Sequence, residues 1–233
     1  MHAVRRGAER GATRLDWLDS RHSFSFGDYH DPKFMGFGPL RVINEDVVAP
    51  SAGFPAHPHR DMEILTWILA GALEHKDNAG GGGVIRPGEM QHMSAGTGIL
   101  HSELNPSDSE PCHLLQIWLL PERGGLRPGY EQKRFADAEL AGRFRLVAAP
   151  GSEDGALPIR QDARVLVARL AGGESASVAL APGRLAWLQV AKGSAAVLGE
   201  ALRQGDGLAA RDEAEISVTA SEDAELLLFD MAA

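Results

Sequence analysis

Short apolar runs separated by turn residues form the main pattern along this chain. Three runs lie in the first half and three in the second, at 40–43, 63–69, 114–120, 165–168, 185–190 and 225–229. The 27 glycines and 13 prolines recur every few residues, a spacing that is typical of short strands joined by turns. Long helical periodicity is nearly absent, and the best helix candidate is the polar stretch 135–140. The pattern predicts an all-β protein built as sandwiches or barrels.

Residues 121–142 separate two strand-rich halves. This stretch carries Gly124–Gly125 and Pro128–Gly129 among charges of both signs, a composition that is typical of a connection between units. We therefore expect two domains, an N-terminal barrel at 1–125 and a C-terminal barrel at 126–233. Units of about 100 residues agree with the usual size of a domain.

The two halves also repeat each other weakly. Gly71 ends an apolar run in the first half, and a turn follows at Pro87–Glu89. Gly193 ends a run in the second half, and a turn follows at Gln204–Asp206. Because the order of features is the same, we expect two similar barrels in tandem.

Composition and charge exclude several classes of function. The chain has 23 Lys and Arg against 32 Asp and Glu, a net charge of −9. This balance disfavours direct binding to nucleic acid or to anionic membranes, and no apolar run approaches the length of a bilayer span. Cys112 is the single cysteine, so neither a disulfide within the chain nor a cysteine zinc cluster can form. No apolar segment follows the basic start, so we expect no signal peptide and a cytoplasmic location.

Histidines are confined to the first half, where two short motifs stand out. All nine lie at or before His113, and they include the pair His57 and His59 and the group His101-Ser102-Glu103. Residues two apart in a strand point to the same face of the sheet. The side chains of His57 and His59 therefore share one face, and so do those of His101 and Glu103. If the two strands face each other inside a barrel, three nitrogens and one carboxylate converge. Such donors suit Fe, Mn, Ni, Co, Cu or Zn.

A pair of histidines alone is weak evidence for a metal. In a chain with nine histidines, a surface or core role explains His57 and His59 about as well. The later His101 and Glu103, in a β-rich context, strengthen the metal hypothesis. Glu63 stands four residues after His59 and is also in phase, so strand parity does not decide which glutamate is the ligand.

The order of motifs resembles the cupin superfamily and, within it, the pirins, of the bacterial kind with quercetin 2,3-dioxygenase activity. The resemblance is dense over nearly the whole first half and looser in the second. It rests on Trp17–Ser20, His22–Phe26, Phe34–Phe37, Leu40–Asn44, His57–Ile64, Met93–Gly98 and His101–Pro106.

The resemblance implies a bicupin fold with one mononuclear metal in the N-terminal barrel. Its ligands would be His57, His59, His101 and Glu103, and Glu63 would support the ligands or the structure. The metal would be Fe(II) in the first place, with Cu, Ni, Co, Mn or Zn as alternatives. Glu103 would be the catalytic residue that accepts the proton of the flavonol 3-hydroxyl.

The repeat predicts what occupies the corresponding positions of the second barrel. Counting from Gly193 and Gly205 without gaps places Ala179, Ala181 and Val218 where the first barrel has its histidines. None of these side chains binds a metal. We therefore expect a structural barrel that covers the first one or supports a dimer.

The implied function is cleavage of the flavonol ring of quercetin by O2 with release of carbon monoxide. The partners would be a flavonol-like small molecule and O2, with no direct contact to nucleic acid or membrane, in a monomer or homodimer. An alternative is a non-enzymatic, redox-sensing pirin whose metal controls binding to a protein partner. A dioxygenase for another substrate would carry the same ligands.

Other features have simpler interpretations. The run Gly80–Gly83 predicts a hairpin loop rather than a phosphate cradle, because neither a lysine nor a helix start follows it. The aromatic side chains Phe24, Phe26, Phe34 and Phe37 could line a pocket, but core packing is the default.

We expect the remaining histidines of interest, His22, His92 and His113, to take part in polar networks rather than to bind metal. Cys112 is expected to be a small buried apolar residue.

Overall fold

The computed structural model describes all 233 residues and is almost entirely β-structure. The first strands are β1 (His2–Arg5), β2 (Gly11–Leu15), β3 (Leu18–His22), β4 (Leu40–Val48), β5 (Gly53–His59), β6 (Glu63–Ala70), β7 (Leu73–Asp77), β8 (Gly82–Ile85), β9 (Glu89–Ser94), β10 (Ile99–Leu104) and β11 (Cys112–Leu119). The later strands are β12 (Gly129–Arg134), β13 (Arg145–Ala149), β14 (Leu157–Pro158), β15 (Ala163–Leu170), β16 (Ser175–Ala179), β17 (Leu185–Lys192), β18 (Ser194–Val197), β19 (Glu200–Arg203), β20 (Gly207–Arg211), β21 (Glu215–Ala220) and β22 (Ala224–Met231).

Helical structure is minor. The one α-helix, α1, covers Asp137–Leu140 within the predicted stretch, and short 3₁₀ turns lie at Gly7–Glu9 and Pro150–Gly155. None of these helices has the length and apolar character needed to cross a membrane. The six apolar runs fall in strands β4, β6, β11, β15, β17 and β22, except for Leu120, which follows the end of β11.

The strands form two copies of one two-sheet arrangement. The first copy pairs a seven-stranded sheet, in the order β12-β9-β6-β11-β4-β3-β2, with a four-stranded sheet, β5-β10-β7-β8. The second copy repeats it as β1-β20-β17-β22-β15-β13-β14 with β16-β21-β18-β19. The expectation of two similar all-β barrels in tandem is confirmed.

The repeated glycines occupy equivalent places in the two barrels. Gly71 connects β6 to β7 with φ of 73°, and Gly193 connects β17 to β18 with φ of 71°. The later turns carry Gly88 and Gly205 at φ of 83° and 87°. Glycine adopts this left-handed backbone without steric cost, which explains why the weak repeat falls on these residues.

Strands from each half complete the sheet of the other. In the second sheet, β1 pairs with β20, so that His2 lies opposite Ala210. In the first sheet, β12 pairs with β9, so that Glu131 lies opposite His92. A cluster of 25 buried apolar residues contains side chains of both halves. The halves thus share a core, and the division at residue 125 stays a prediction.

The interior of the second barrel is apolar. A cluster of 21 buried residues fills it, including Val218. The pairing of β16 with β21 puts Ala176 opposite Val218, whereas Ala179 lies opposite Glu215. The ungapped count to Ala179 is therefore three residues off. Two of these three residues come from the connection before β17, which has the five residues 180–184 against the three residues 60–62 before β6, and the third lies at the end of β16.

Candidate metal centre

Strands β5 and β10 carry the two histidine motifs and are hydrogen-bonded neighbours. His101 lies directly opposite His57, and Ile99 lies opposite His59. The motifs therefore meet side by side in one sheet, whereas the sequence suggested two strands facing across a barrel. The ring centroid of His101 is 4.4 Å from that of His57 and 4.9 Å from that of His59. One potential ligand atom from each of the three lies within 4.8 Å of the others.

A register irregularity between β5 and β10, with the extra residue in β5, lies next to the carboxylate of Glu103. The shift against β5 falls between His101 and Glu103, and the Glu103 side chain is buried. Glu103, His101 and His75 form a second group whose ligand atoms lie within 4.8 Å of one another. Because His101 belongs to both groups, the four residues predicted from the sequence lie in one cluster, together with His75.

Three polar atoms of this cluster are buried without a hydrogen-bond partner. They are Nε2 of His59, Nε2 of His101 and Oε1 of Glu103. Buried polar atoms are nearly always satisfied, so a convergent set of unsatisfied ones calls for a ligand. Imidazole nitrogens and a carboxylate oxygen are donors for a single divalent transition metal, and the residues present fit such an ion.

The fourth side chain, His57, is held in the matching tautomer. Its Nδ1 donates a hydrogen bond to the carbonyl oxygen of Pro55, 2.8 Å away. With the proton on Nδ1, the lone pair of Nε2 is free for a metal. His57 and His59 are half-buried, so the cluster is open to solvent on their side.

Behind His101 lies a hydrogen-bonded chain that we call the Asp77 relay, formed by Asp77, His75 and His101. Nδ1 of His101 is 3.3 Å from Nδ1 of His75, and Nε2 of His75 is 3.1 Å from Oδ2 of Asp77. The other carboxylate oxygen of Asp77 accepts the backbone N–H groups of Ala79 and Gly81, both at 2.8 Å.

This arrangement sets the proton positions along the relay. Asp77 accepts the Nε2 proton of His75, whose Nδ1 then accepts the Nδ1 proton of His101, and Nε2 of His101 is left with its lone pair. Burial alone would raise the pKa of Asp77, but the hydrogen bond from His75 holds that pKa below its usual value. His75 and Asp77 were not predicted from the sequence, although they form an i, i+2 pair in a strand like the other two motifs.

A second chain orients the carboxylate. Nε2 of Gln116 donates to Oε2 of Glu103 at 2.8 Å, and Nε1 of Trp118 donates to Oε1 of Gln116 at 3.3 Å. The ring of Trp118 also packs edge-on against His59, with centroids 4.8 Å apart. Strand β11 therefore fixes Glu103 with one oxygen occupied and Oε1 unpaired.

Burial determines the charge of these groups. Burial, with the neighbouring charge of His57, lowers the pKa of His59 to about 4. Burial and three nearby histidines lower the pKa of His101 to about 2. Burial raises the pKa of Glu103 to about 7, although the hydrogen bond from Gln116 opposes the shift. The imidazoles of His59 and His101 are thus neutral at neutral pH, the form that binds metals.

Glu63 belongs to a different network. Its Oε2 accepts Nε2–H of His92 at 2.7 Å and the backbone N–H of Arg160 at 3.1 Å, and its Oε1 accepts the hydroxyl of Ser94 at 2.5 Å. Glu63 is in neither group of potential metal ligands. Its hydrogen bonds tie the first half of the chain to Arg160 in the second.

The other histidines take part in polar networks, as predicted. Nδ1 of His22 is 2.8 Å from Oδ1 of Asn44, and Nε2 of His113 is 3.0 Å from Oε1 of Glu45. His92 is bonded to Glu63, as described above. Cys112 is fully buried, which confirms its apolar role.

The loop and aromatic predictions have mixed outcomes. Strands β7 and β8 form a hairpin around residues 78–81, so the glycine run belongs to a hairpin as expected. Phe24 is a core residue, and Phe34 and Phe37 pack partly buried against the same core. Phe26 instead packs on Trp118, with centroids 5.4 Å apart, beside the candidate metal centre.

Comparisons with known proteins agree with this arrangement. The Pirin family model matches residues 4–119, and the model of the quercetinase C-terminal cupin domain matches residues 146–231. Quercetin 2,3-dioxygenase of Escherichia coli (strain K12) is 48% identical over 228 residues, which cover 98% of this chain and 97% of that protein. This chain belongs to the pirin family. A pirin-like protein of Caulobacter vibrioides is 45% identical, over 97% of this pirin and 95% of its own length.

Solved structures of pirins have the same fold. The bacterial pirin YhhW from Escherichia coli, in complex with nickel(II), is 47% identical to this pirin, with a TM-score of 0.94. The match covers 100% of this chain and 99% of that chain. The bicupin architecture expected from the sequence is thereby confirmed.

Proposed function

We propose that this pirin is a metal-dependent dioxygenase that cleaves the flavonol ring of quercetin with O2 and releases carbon monoxide. The observation that carries this proposal is the convergence of unpaired, buried donor atoms of His59, His101 and Glu103 beside His57. The Escherichia coli relative named quercetin 2,3-dioxygenase supports the choice of substrate class.

The proposed ligands are His57, His59, His101 and Glu103, which hold one divalent metal per chain. We propose Fe(II) as the native ion, because mixed nitrogen and oxygen donors with open positions suit oxygen chemistry on iron. The nickel(II) complex of the Escherichia coli pirin supports a divalent ion at this fold and makes nickel a comparison in every assay. We propose that the ion belongs to the N-terminal unit, 1–125, and that the C-terminal unit, 126–233, is structural, which the cluster of 21 buried apolar residues in the second barrel supports.

The protein side of the mechanism follows from the geometry. When bound, the metal supplies a Lewis-acidic and redox-capable centre for the flavonol and O2. Glu103 accepts the proton of the flavonol 3-hydroxyl, while the hydrogen bond from Nε2 of Gln116 to its Oε2 holds the carboxylate in place. Trp118 and Phe26 offer aromatic surface next to His59 for the planar substrate. The reaction takes up one O2 and yields carbon monoxide and a depside.

The deciding experiment compares wild type with His57→Ala, each loaded with iron or nickel and assayed aerobically with quercetin. We expect flavonol absorbance to fall with carbon monoxide release in wild type, and we expect His57→Ala to lose both turnover and bound metal. His30→Ala, at an exposed position, is the matched control and should behave as wild type.

Two results would contradict this function. Turnover that persists in metal-free His57→Ala would refute the assigned ligands. Bound metal without turnover on iron, nickel, copper, cobalt or manganese would refute the quercetinase activity and favour the redox-sensing regulator, which a pull-down under reducing and oxidising conditions would then test.

A further inference from the structure

A cavity of about 290 Å³ lies between strand β1 and the segment that follows β3, and none of its lining residues belongs to the metal cluster. Phe24 and Trp187 line it with rings 4.8 Å apart, and both are buried. Phe34 and Phe37 add two further rings. The volume is at the lower end for ligand pockets, so it suits one aromatic ring better than a flavonol.

Positive charge surrounds this aromatic cavity. Arg5, Lys33 and Arg211 line it, and no aspartate or glutamate does. The guanidinium of Arg5 lies 3.7 Å from the centroid of Phe34, and that of Arg211 lies 4.7 Å from the centroid of Phe37. In a chain with a net charge of −9, a cavity with three cations and no acid is a local reversal of charge.

Arg5 is the strongest pointer to an anionic ligand. Arg5 is only 3% exposed. Nε donates to the carbonyl of Ser23 at 3.2 Å and Nη2 donates to the hydroxyl of Tyr29 at 2.8 Å, so both partners are neutral. A carboxylate reaches it only indirectly, because Asp31 accepts the Tyr29 hydroxyl at 3.5 Å. A buried cation without a direct counter-charge is costly, and an anion beside it would remove that cost.

We propose that this cavity binds a small aromatic carboxylate. The carboxylate pairs with the free edge of the Arg5 guanidinium, whose stacking on Phe34 fixes its plane. The ring of the ligand packs against Phe24 and Trp187, while Lys33 and Arg211 attract the anion at the rim. Because the cavity shares no residue with the metal cluster, this binding is independent of the function proposed above.

The test is an NMR titration of metal-free protein with benzoate, followed at the indole N–H of Trp187 after assignment with Trp187→Phe. We expect saturable binding of benzoate, and binding at least about tenfold weaker for the neutral isostere benzamide, because the charge-assisted pair with Arg5 is absent. Arg5→Met should remove binding. Arg211→Gln and Lys33→Gln, both at exposed positions, should weaken it severalfold even if Arg5→Met does not fold.

Two controls make the titration decisive. Arg123→Gln changes an exposed arginine outside the cavity and should leave benzoate affinity unchanged. His57→Ala should also leave it unchanged, whereas loss of binding in that variant would locate benzoate at the metal cluster and overturn the proposal. Equal affinity for benzoate and benzamide, or no saturation in the millimolar range, would overturn it as well.

Discussion

At the scale of single residues, the metal centre depends on where individual protons sit. Pro55 sets the proton of His57, and the Asp77 relay sets that of His101. In both rings Nε2 has a free lone pair for the metal only because the proton sits on Nδ1. That proton is donated to the carbonyl oxygen of Pro55 in His57 and to His75 in His101. Changes behind the ligands should therefore alter metal binding without touching a ligand.

Asp77→Asn tests this directly. The new amide can still accept the backbone N–H groups of Ala79 and Gly81, but its NH2 donates to Nε2 of His75. The proton of His75 then moves to Nδ1, and His101 must carry its own proton on Nε2. We expect metal affinity to fall about 10–100-fold, measured by competition with a chromogenic chelator. Glu131→Gln, an exposed change, is the control, and an unchanged affinity in Asp77→Asn would disprove the relay.

Strand parity, which is visible in the order of residues, made His57, His59 and His101 ligand candidates, and the resemblance to pirins selected Glu103 as the fourth. Parity could not separate Glu63 from Glu103, since both are in phase. Their surroundings differ, because Glu63 already accepts three hydrogen bonds while Oε1 of Glu103 has no partner. His75 was not predicted because its local sequence does not show that β7 is hydrogen-bonded to β10 in the same sheet.

At the scale of elements, the apolar runs predicted the strands that lie inside the large sheets. Strands β6 and β22 are buried along almost their whole length, and their sequences are mostly apolar. Strand β5, which carries two ligand candidates, has only half-buried and exposed residues and contains no apolar run. The hydrophobic pattern therefore does not reveal β5, the strand that carries His57 and His59.

The backbone at Gly71, between β6 and β7, lies so close to Pro111 that it leaves no room for a side chain. The variant Gly71→Ala tests what this close approach contributes to stability. A Cβ there would collide with the carbonyl oxygen of Pro111, at a φ of 73° that already disfavours alanine. Gly80→Ala has a φ of 93° and open space around its Cβ, so it isolates the backbone strain. We expect urea unfolding to show a loss of about 1 kcal/mol for Gly80→Ala and about 2–4 kcal/mol for Gly71→Ala. Equal losses would show that the collision relaxes freely.

At the scale of the whole molecule, Glu45 is a junction between the two halves. Its Oε2 accepts Nη2 of Arg10 at 2.7 Å, and its Oε1 accepts Nε2 of His113 at 3.0 Å and Nε2 of Gln204 at 3.1 Å. Burial alone would raise its pKa, but the hydrogen bond from His113 and the charge of Arg10 lower it to about 2. Folding thus stabilises the ionised form of the Glu45 carboxylate relative to its protonated form.

Glu45→Gln should therefore change how stability depends on pH. Because the folded pKa of Glu45 is depressed, its contribution is complete above the unfolded value of 4.5 and is lost as pH falls toward about 2. We expect the variant to be less stable than wild type at pH 7, by on the order of 1–3 kcal/mol. The difference should shrink at pH 3 in urea unfolding. A difference that is the same at both pH values would contradict the assigned ionisation.

Because β1 pairs with β20 of the other half, the order of synthesis affects the order in which the sheets form. Strand β1 is synthesised before the other strands, yet its partner β20 is made only when residues 207–211 have been synthesised. Pairing over such a sequence separation is slow to form, and the waiting strand exposes an open edge meanwhile. Strand β1 is thus among the last of these strands to pair, and the sheet of the second barrel is completed only after residues 207–211 have been made.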